Sequence, residues 1–382
     1  MTTDPIVGDH FLLFTRFPIA SELLQETPIQ LAPDIYLAST PYHAVTRGAR
    51  QGSKKEEHVG LGAWVYAGHG LGIGICHSCL KVNATVPTST ALHYAWVMAA
   101  ALYLAKPLSI HISGFFDYGT PEDGLLGRTP GRIDQHSNIC LDTFFSHIGD
   151  RPILHYDRKD LERASKCFPI ILNIVDDPKQ FPRAATTLRK FFKAVLWEKL
   201  RFADSIFGEL FSSIDSLAGN PTHKHHSKIP TNLSKFLTGT PSLFTQAIPE
   251  ETAIFRRLQD IWHRHRDADT HGHQKEFPFS IIAGAKIQSS QANDLNQHPE
   301  MKDLFDLMEI ARAAIVKMLL LDENHFQEYC QIPIPTYVNG KEKTKSIRND
   351  IAATFFAKNY PSSQEVFFYT DLIDAAQMTA MS

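Results

Sequence analysis

Arginine, histidine and aspartate alternate over residues 264–273, near the end of a predicted helix. Such a cluster is costly to bury and ill suited to plain apolar packing. Histidine can move a proton at neutral pH, and a guanidinium can stabilise negative charge on a phosphate. We therefore interpret the cluster as a site for phosphoryl transfer that uses no metal ion.

Within the cluster, Arg266 and His271 are separated by four residues, and every Arg-x(4–6)-His pair of the chain lies between Arg256 and His273. If the helix continues to His271, Asp267 faces the imidazole from four residues earlier, orients it and favours its charged form. On a straight α-helix, Arg266 lies about 140° around the axis from His271. The two side chains would then converge only if the helix ends or a second subunit supplies the other half of the site.

Arg264 and His265 precede this pair, and we regard them as accessory candidates that contact phosphate. The same pattern also fits a solvated helix end with a network of charges. A short spacing motif alone does not decide between the two interpretations.

The composition limits the class of protein. The chain has 382 residues, 43% of them hydrophobic, a formal net charge of -3 and five cysteines. A globular protein that binds nucleic acid without a basic surface field must use a local patch. The odd, loosely spaced cysteines favour a reducing compartment over a disulfide framework. Since neither a secretory signal nor a membrane span is visible in the sequence, we expect a soluble, cytoplasmic protein.

The elements that must position the cluster fall into two parts of the chain with different sequence patterns, and together they predict an α+β protein. Residues 1–180 are predicted as a mixed α/β domain with a sensing or regulatory role: short strands, a glycine-rich stretch over 60–76, a helix over 90–105, a strand over 108–116 and a short buried run over 170–175. Residues 181–325 are predicted as an antiparallel bundle of about five helices. These helices are expected over 184–197, 202–217, 229–237, 250–271 and 301–321. A C-terminal appendage, residues 326–382, contains a strand-like stretch over 332–338 and a helix near 347–357.

Other patterns are weaker. Cys76 and Cys79 form one C-x2-C pair, whereas a structural zinc site usually needs two, so buried thiols are favoured. The glycines of residues 70–74 lack the Lys-Ser/Thr of a phosphate loop and fit a turn. His223, His225 and His226 fit a solvated loop better than a metal or RNA site. We predict no metal ion and no cofactor.

The helical half resembles a HEPN domain, specifically the ApeA-like HEPN family. Residues 212–219 are similar to the family's "ALEALLG" helix ending, with Asp215 at its acidic position. Residues 234–239 match the short helix and glycine that follow. Residues 258–272 resemble "LYDLRSxxVHG", and the apolar helix over 301–321 comes next. Residues 94–116 are similar to a helix–strand unit found upstream in such proteins.

This resemblance implies a metal-independent endoribonuclease that leaves 2′,3′-cyclic phosphate and 5′-hydroxyl ends. Arg266 and His271 match its motif, Asp267 the polar position after the arginine, and Asp215 the acidic residue. The family's motifs meet across a dimer interface, so the resemblance implies RNA as substrate and a homodimer or higher homo-oligomer. A regulatory protein or ligand would bind the N-terminal domain. By analogy the setting is microbial defence against phage or a toxin-like response.

Two features depart from the family. Thr270 stands where the family is usually apolar, and His273 stands where some toxin members have tyrosine. Some HEPN domains are not catalytic. The alternative function is therefore an RNA-binding, protein-binding or assembly module.

Overall fold

The computed structural model describes residues 10–15, 28–33, 35–39, 78–82, 88–107, 111–117, 156–200, 203–219, 228–241, 250–267, 299–333, 337–338, 341–342, 351–358, 360 and 365–369. Helices and antiparallel strands occur together in these residues, so the α+β class is confirmed. The chain forms two compact units, one holding the described residues up to Leu172 and the other those from Asn173 onward. The glycine-rich stretch over 60–76, Cys76, the three loop histidines and His271 lie outside the described residues.

The first unit contains a five-stranded antiparallel sheet. Its strands are β1 (His10–Thr15), β2 (Ile29–Ala32), β3 (Ile35–Ser39), β4 (Ser78–Val82) and β5 (His111–Asp117), in the order β2-β3-β4-β1-β5. In this register, Leu12 of β1 lies opposite Leu80 on one side and Phe115 on the other. The predicted strand over 108–116 is thus observed as β5.

Helix α1 (Thr88–Ala105) packs on β1 and β5 and confirms the helix predicted over 90–105. Its second half is buried on every side, from Val97 to Ala99 and again from Ala101 to Ala105. A helix that is apolar all round belongs inside a core. No helix in the described parts of the chain has both the length and the apolar composition needed to cross a membrane.

Helix α2 (Arg158–Asp176) differs from the prediction. The interpretation of residues 170–175 as a short buried run is wrong, because they form the end of this helix and Val175 is 45% exposed. Pro169 lies inside the helix, where proline removes a backbone hydrogen bond and normally signals a break. The start of α2 is tied to the end of α1, since Lys106 Nζ lies 2.9 Å from Asp160 Oδ2 and Arg163 donates to the carbonyl of Ala105.

The second unit is predominantly helical. It contains α3 (Pro182–Leu200), α4 (Ala203–Ala218), α5 (Ile229–Leu237), α6 (Glu251–Ile261), α7 (Pro299–Leu319), α8 (Glu323–Cys330), the strand pair β6 (Tyr337–Val338) and β7 (Lys341–Glu342), and α9 (Ile351–Phe356). The helices predicted at α3, α4, α5 and α7 are confirmed within a few residues. Helix α8 precedes the predicted strand-like stretch and was not foreseen.

Helix α7 is the central element of this unit. Every side chain of residues 303–319 is buried, and the helix contacts α3, α4, α5 and α6. Helices α3 and α4 run antiparallel, because Ser213 bonds to the carbonyl of Thr187 while Glu209 pairs with Lys190 further along α3. The face of α4 that carries Phe207, Phe211 and Asp215 is thereby directed away from α3.

A buried arginine closes the C-terminal end of α4. Arg183 is fully buried, and within the described residues its guanidinium donates to four backbone carbonyls. The acceptors are Leu217 at 2.9 Å, Gly219 at 2.7 Å, and Ile332 and Pro333 at 3.2 Å each. The last carbonyls of a helix lack partners in the helix and attract positive charge. Arg183 therefore joins the end of α4 to the segment that follows α8.

Residues after 325, predicted as an appendage, contribute to the core of the second unit. Phe356 of α9 packs edge-on against Phe236 of α5, with ring centroids 5.1 Å apart. Glu309 of α7 accepts a hydrogen bond from the amide of Tyr369 at 2.7 Å, and Arg312 donates to the carbonyl of Phe367. Glu309 and Arg312 form a buried ion pair on the central helix, and both fix residues 367–369 to it through backbone hydrogen bonds.

Two glycines, Gly208 inside α4 and Gly219 directly after it, are expected to respond in opposite ways to alanine. A Cβ at Gly219 would lie 2.3 Å from the carbonyl oxygen of Asp215, whereas at Gly208 it would meet nothing within 4 Å. Gly219→Ala should lower the free energy of unfolding by about 1–3 kcal/mol, because the backbone must move. Gly208→Ala should raise it by about 0.5–1 kcal/mol, because alanine favours the helix. Urea denaturation measures both, and changes of equal sign would contradict the expectation.

Candidate active site

The candidate site lies where α6 ends. The helix continues beyond Ile261 as a π turn, Trp262–Asp267. The prediction of an α-helix up to His271 is wrong over these residues, because hydrogen bonds in a π turn join residues five apart. The angle of about 140° between Arg266 and His271 and the facing of Asp267 and His271 were both derived for an α-helix, and both stay predictions. His271 and the side chain of Asp267 lie outside the described part of the structure.

Two buried carboxylates of α7 hold basic side chains of α6 and the π turn. Arg257 Nε donates to Asp306 Oδ2 at 2.6 Å, and Arg257 Nη2 lies 2.8 Å from Asp303 Oδ1. Arg264 Nη2 approaches the same Oδ1 to 3.1 Å, and His265 Nε2 is 2.7 Å from Oδ2. The contacts at Oδ1 are charge contacts without the alignment of a hydrogen bond. Burial raises the pKa of Asp306, and Arg257 opposes this shift.

Arg264 and His265, the accessory candidates for phosphate binding, are thus paired with a protein carboxylate. The ring of His265 also stacks on Phe207 of α4, with centroids 4.1 Å apart and an angle of 10° between the planes. Its side chain is 14% exposed, whereas that of Arg264 is 47% exposed. His265 is therefore held on two sides, and Arg264 keeps access to solvent.

Arg266 contacts a different helix, α4. Its Nη2 donates to Asp215 Oδ2 at 2.7 Å, although the two residues are 51 positions apart in the sequence. The guanidinium carbon lies 4.2 Å from the centre of the Trp262 ring, and Trp262 packs edge-on against Phe211 at 5.0 Å. A guanidinium that is paired and stacked in this way has a fixed direction.

Asp215 is an unusual carboxylate. Burial raises its pKa to about 6, although the positive charge of Arg266 opposes this shift. Among the described residues, its second oxygen, Oδ1, is buried without a hydrogen-bond partner. Asp215 is therefore ionised at pH 7 but takes up a proton in mildly acidic solution, which would end the ion pair with Arg266.

The π turn presents the guanidinium of Arg266, and side chains of α4 and α7 hold the turn. Sequence reasoning missed Asp303 and Asp306, since carboxylates on an apolar helix are usually placed on its solvent face. The sequence feature that could have indicated them is their separation by three residues on a helix that otherwise belongs to the core. No three His, Cys, Asp or Glu side chains of the described ranges are grouped in a way that could hold a metal ion.

Comparison of the chain with protein-family models, with curated proteins and with solved structures finds no match.

Proposed function

We propose that this protein is a metal-independent endoribonuclease of the HEPN type, with Arg266 and His271 as its catalytic pair. The observation that supports the proposal is the ion pair between Arg266 and Asp215 at 2.7 Å. These two residues belong to different helical segments, and the resemblance to the ApeA-like family marks both. Asp215, which the resemblance identifies as the acidic residue, therefore lies beside Arg266, the arginine of the motif.

In the proposed reaction, His271 accepts the proton of an RNA 2′-hydroxyl. The 2′-oxygen forms a bond to phosphorus, the bond from phosphorus to the 5′-oxygen breaks, and the leaving 5′-oxygen takes up a proton from water. The products carry a 2′,3′-cyclic phosphate and a 5′-hydroxyl. Arg266 stabilises the charge that develops on the phosphate, and because Asp215 and Trp262 already direct its guanidinium, little reorganisation is needed when RNA binds. Asp267 orients the imidazole of His271.

The proposal extends to the assembly. The helical unit forms an antiparallel HEPN-like bundle and associates as a homodimer or higher homo-oligomer, so that the motifs of two chains meet. The N-terminal domain receives a regulatory protein or ligand, and cleavage of RNA serves antiphage or toxin-like defence. These statements rest on the resemblance and on the expected convergence of Arg266 and His271.

Incubation of the purified full-length chain with total RNA in the presence of EDTA tests the proposal. We expect cleavage, 2′,3′-cyclic phosphate ends detected by mass spectrometry, and loss of cleavage in His271→Ala. His271→Gln, which keeps a polar side chain, guards against loss of activity through misfolding alone. Cleavage that requires a divalent metal ion, or that survives in both variants, would overturn the assignment.

A non-catalytic module that binds RNA or protein is the second candidate. The observation that favours it is that the Arg266 side chain is only 19% exposed and is occupied by Asp215. This candidate predicts that the wild-type chain binds RNA or a protein partner but leaves labelled RNA intact. The same incubation with RNA, followed by electrophoresis under native and denaturing conditions, separates the two functions.

A further inference from the structure

Asp303 contacts basic side chains that take no part in the proposed reaction. Its side chain is 2% exposed, and it contacts Arg257 of α6 together with Arg264 and His265 of the π turn. A buried carboxylate is costly unless it is paired. Two of its three partners in the described residues are consecutive positions of the π turn, so Asp303 links that turn to α6 and α7.

Asp306 provides an internal comparison. It lies almost one turn further along α7, its side chain is equally buried at 2% exposure, and it also pairs with Arg257. The contacts described for Asp306 are made with α6, before the π turn begins. The two carboxylates therefore share their helix, their burial and one partner, and they differ in their contact with the turn.

The π turn depends on contacts from outside. π-helices are rare and occur mostly as single turns, often at functional sites. In this turn, Arg264 and His265 reach Asp303 on α7, while the next residue, Arg266, reaches Asp215 on α4. Three successive side chains are thus held by carboxylates of two different helices. The direction of Arg266 follows from the position of the turn, which Asp303 contacts from α7 and Asp215 from α4.

We propose that Asp303 is a positioning residue that holds the π turn in the geometry in which Arg266 points towards Asp215. It acts through Arg264 and His265 and does not contact the reacting atoms. The effect on RNA cleavage rests on the proposed function, whereas the effect on the π turn does not. Arg264 and His265 are then primarily ligands of Asp303 and not of phosphate.

The test compares Asp303→Asn with Asp306→Asn in the full-length chain. Hydrogen exchange followed by mass spectrometry reports the protection of the amides of residues 262–267, and single-turnover cleavage gives the rate of the chemical step. We expect Asp303→Asn to lose protection in the π turn and to cleave RNA about 10- to 100-fold more slowly at saturating RNA, because the guanidinium is misplaced. Its KM should stay within about twofold of the wild-type value, since the substitution slows the chemical step and not the binding of RNA.

Asp306→Asn is expected to keep both the protection of the π turn and the cleavage rate within about threefold of wild type. A second variant, His265→Phe, keeps a ring to stack on Phe207 and removes the contact with Asp303, so it serves if Asp303→Asn fails to fold. His265→Phe should lower both the protection of the π turn and the cleavage rate, as Asp303→Asn does. Unchanged protection in Asp303→Asn and His265→Phe, or an equal loss in Asp306→Asn, would overturn the proposal. If the wild-type chain does not cleave RNA, the proposed function fails and the exchange data alone decide the role of Asp303.

Discussion

Replacement of Arg266 by alanine is expected to lower the rate constant of RNA cleavage at least about 100-fold, the usual effect of removing a charge-stabilising donor from an active site. The fold should survive, because Asp215, which loses its partner, is 30% exposed and can take up a proton. Single-turnover cleavage of a labelled RNA measures the effect. Arg266→Lys should recover part of the rate, since lysine keeps the charge but not the planar fork of donors.

The matched control for this prediction is Arg256→Ala. Arg256 is an exposed arginine on α6, ten residues before Arg266 and outside the π turn. Its removal lowers the net charge of the chain by the same amount and should leave the rate constant within about twofold. An equal loss of rate in both variants would show that general attraction of RNA, and not Arg266 itself, is measured.

The largest loss of stability is expected for Arg183→Met. Methionine can fill much of the space, but it leaves the carbonyls of Leu217, Gly219, Ile332 and Pro333 without their donor. Each buried polar group left unpaired costs about 1–3 kcal/mol, partly offset by the gain from no longer burying a charge. We expect a net decrease of about 3–5 kcal/mol in the free energy of unfolding, measured by urea denaturation of the second unit's transition.

Arg189→Met is the control for Arg183→Met. Arg189 lies on the same helix, α3, and is exposed, so its replacement should change the free energy of unfolding by less than about 0.5 kcal/mol. Arg183→Lys should fall between the two, because an ammonium group supplies three donors from a single atom. If Arg183→Met unfolds at the same urea concentration as Arg189→Met, the carbonyl contacts contribute little to stability.

The apolar periodicity of the sequence carries most of the information about the helical unit. Helices α3, α4, α5 and α7 each carry apolar residues at helical spacing, and their predicted limits differ from the observed ones by a few residues. The buried apolar residues of helix α2 recur at helical spacing, but Pro169 normally signals a break, whereas the contacts of α2 with α1 stabilise the helix. Local propensity is a weak guide when tertiary contacts decide.

The candidate site was predictable in part. The residue types and spacing around Arg266 indicate its chemistry, and the resemblance indicates Asp215, which the structure places at 2.7 Å from it. The π turn could not be predicted, because it is held by Asp303, which lies 38 residues after His265. Pairing between distant residues leaves no periodic pattern in the sequence. Periodicity alone assigns a charged residue such as Asp303 to the solvent face of its helix, and only the helices that surround α7 show that it is buried.

Arg183 also sets a condition on the synthesis of the protein. Its acceptors in Ile332 and Pro333 lie 149 and 150 residues further along the chain. A ribosome that adds about 5–20 residues per second needs roughly 8–30 s for that stretch. During this interval the nascent α3 and α4 hold a guanidinium that lacks half of its final acceptors. The helical unit therefore completes its native packing only after Pro333 has been made, and chaperones that shield nascent chains can act at this end of α4 in the meantime.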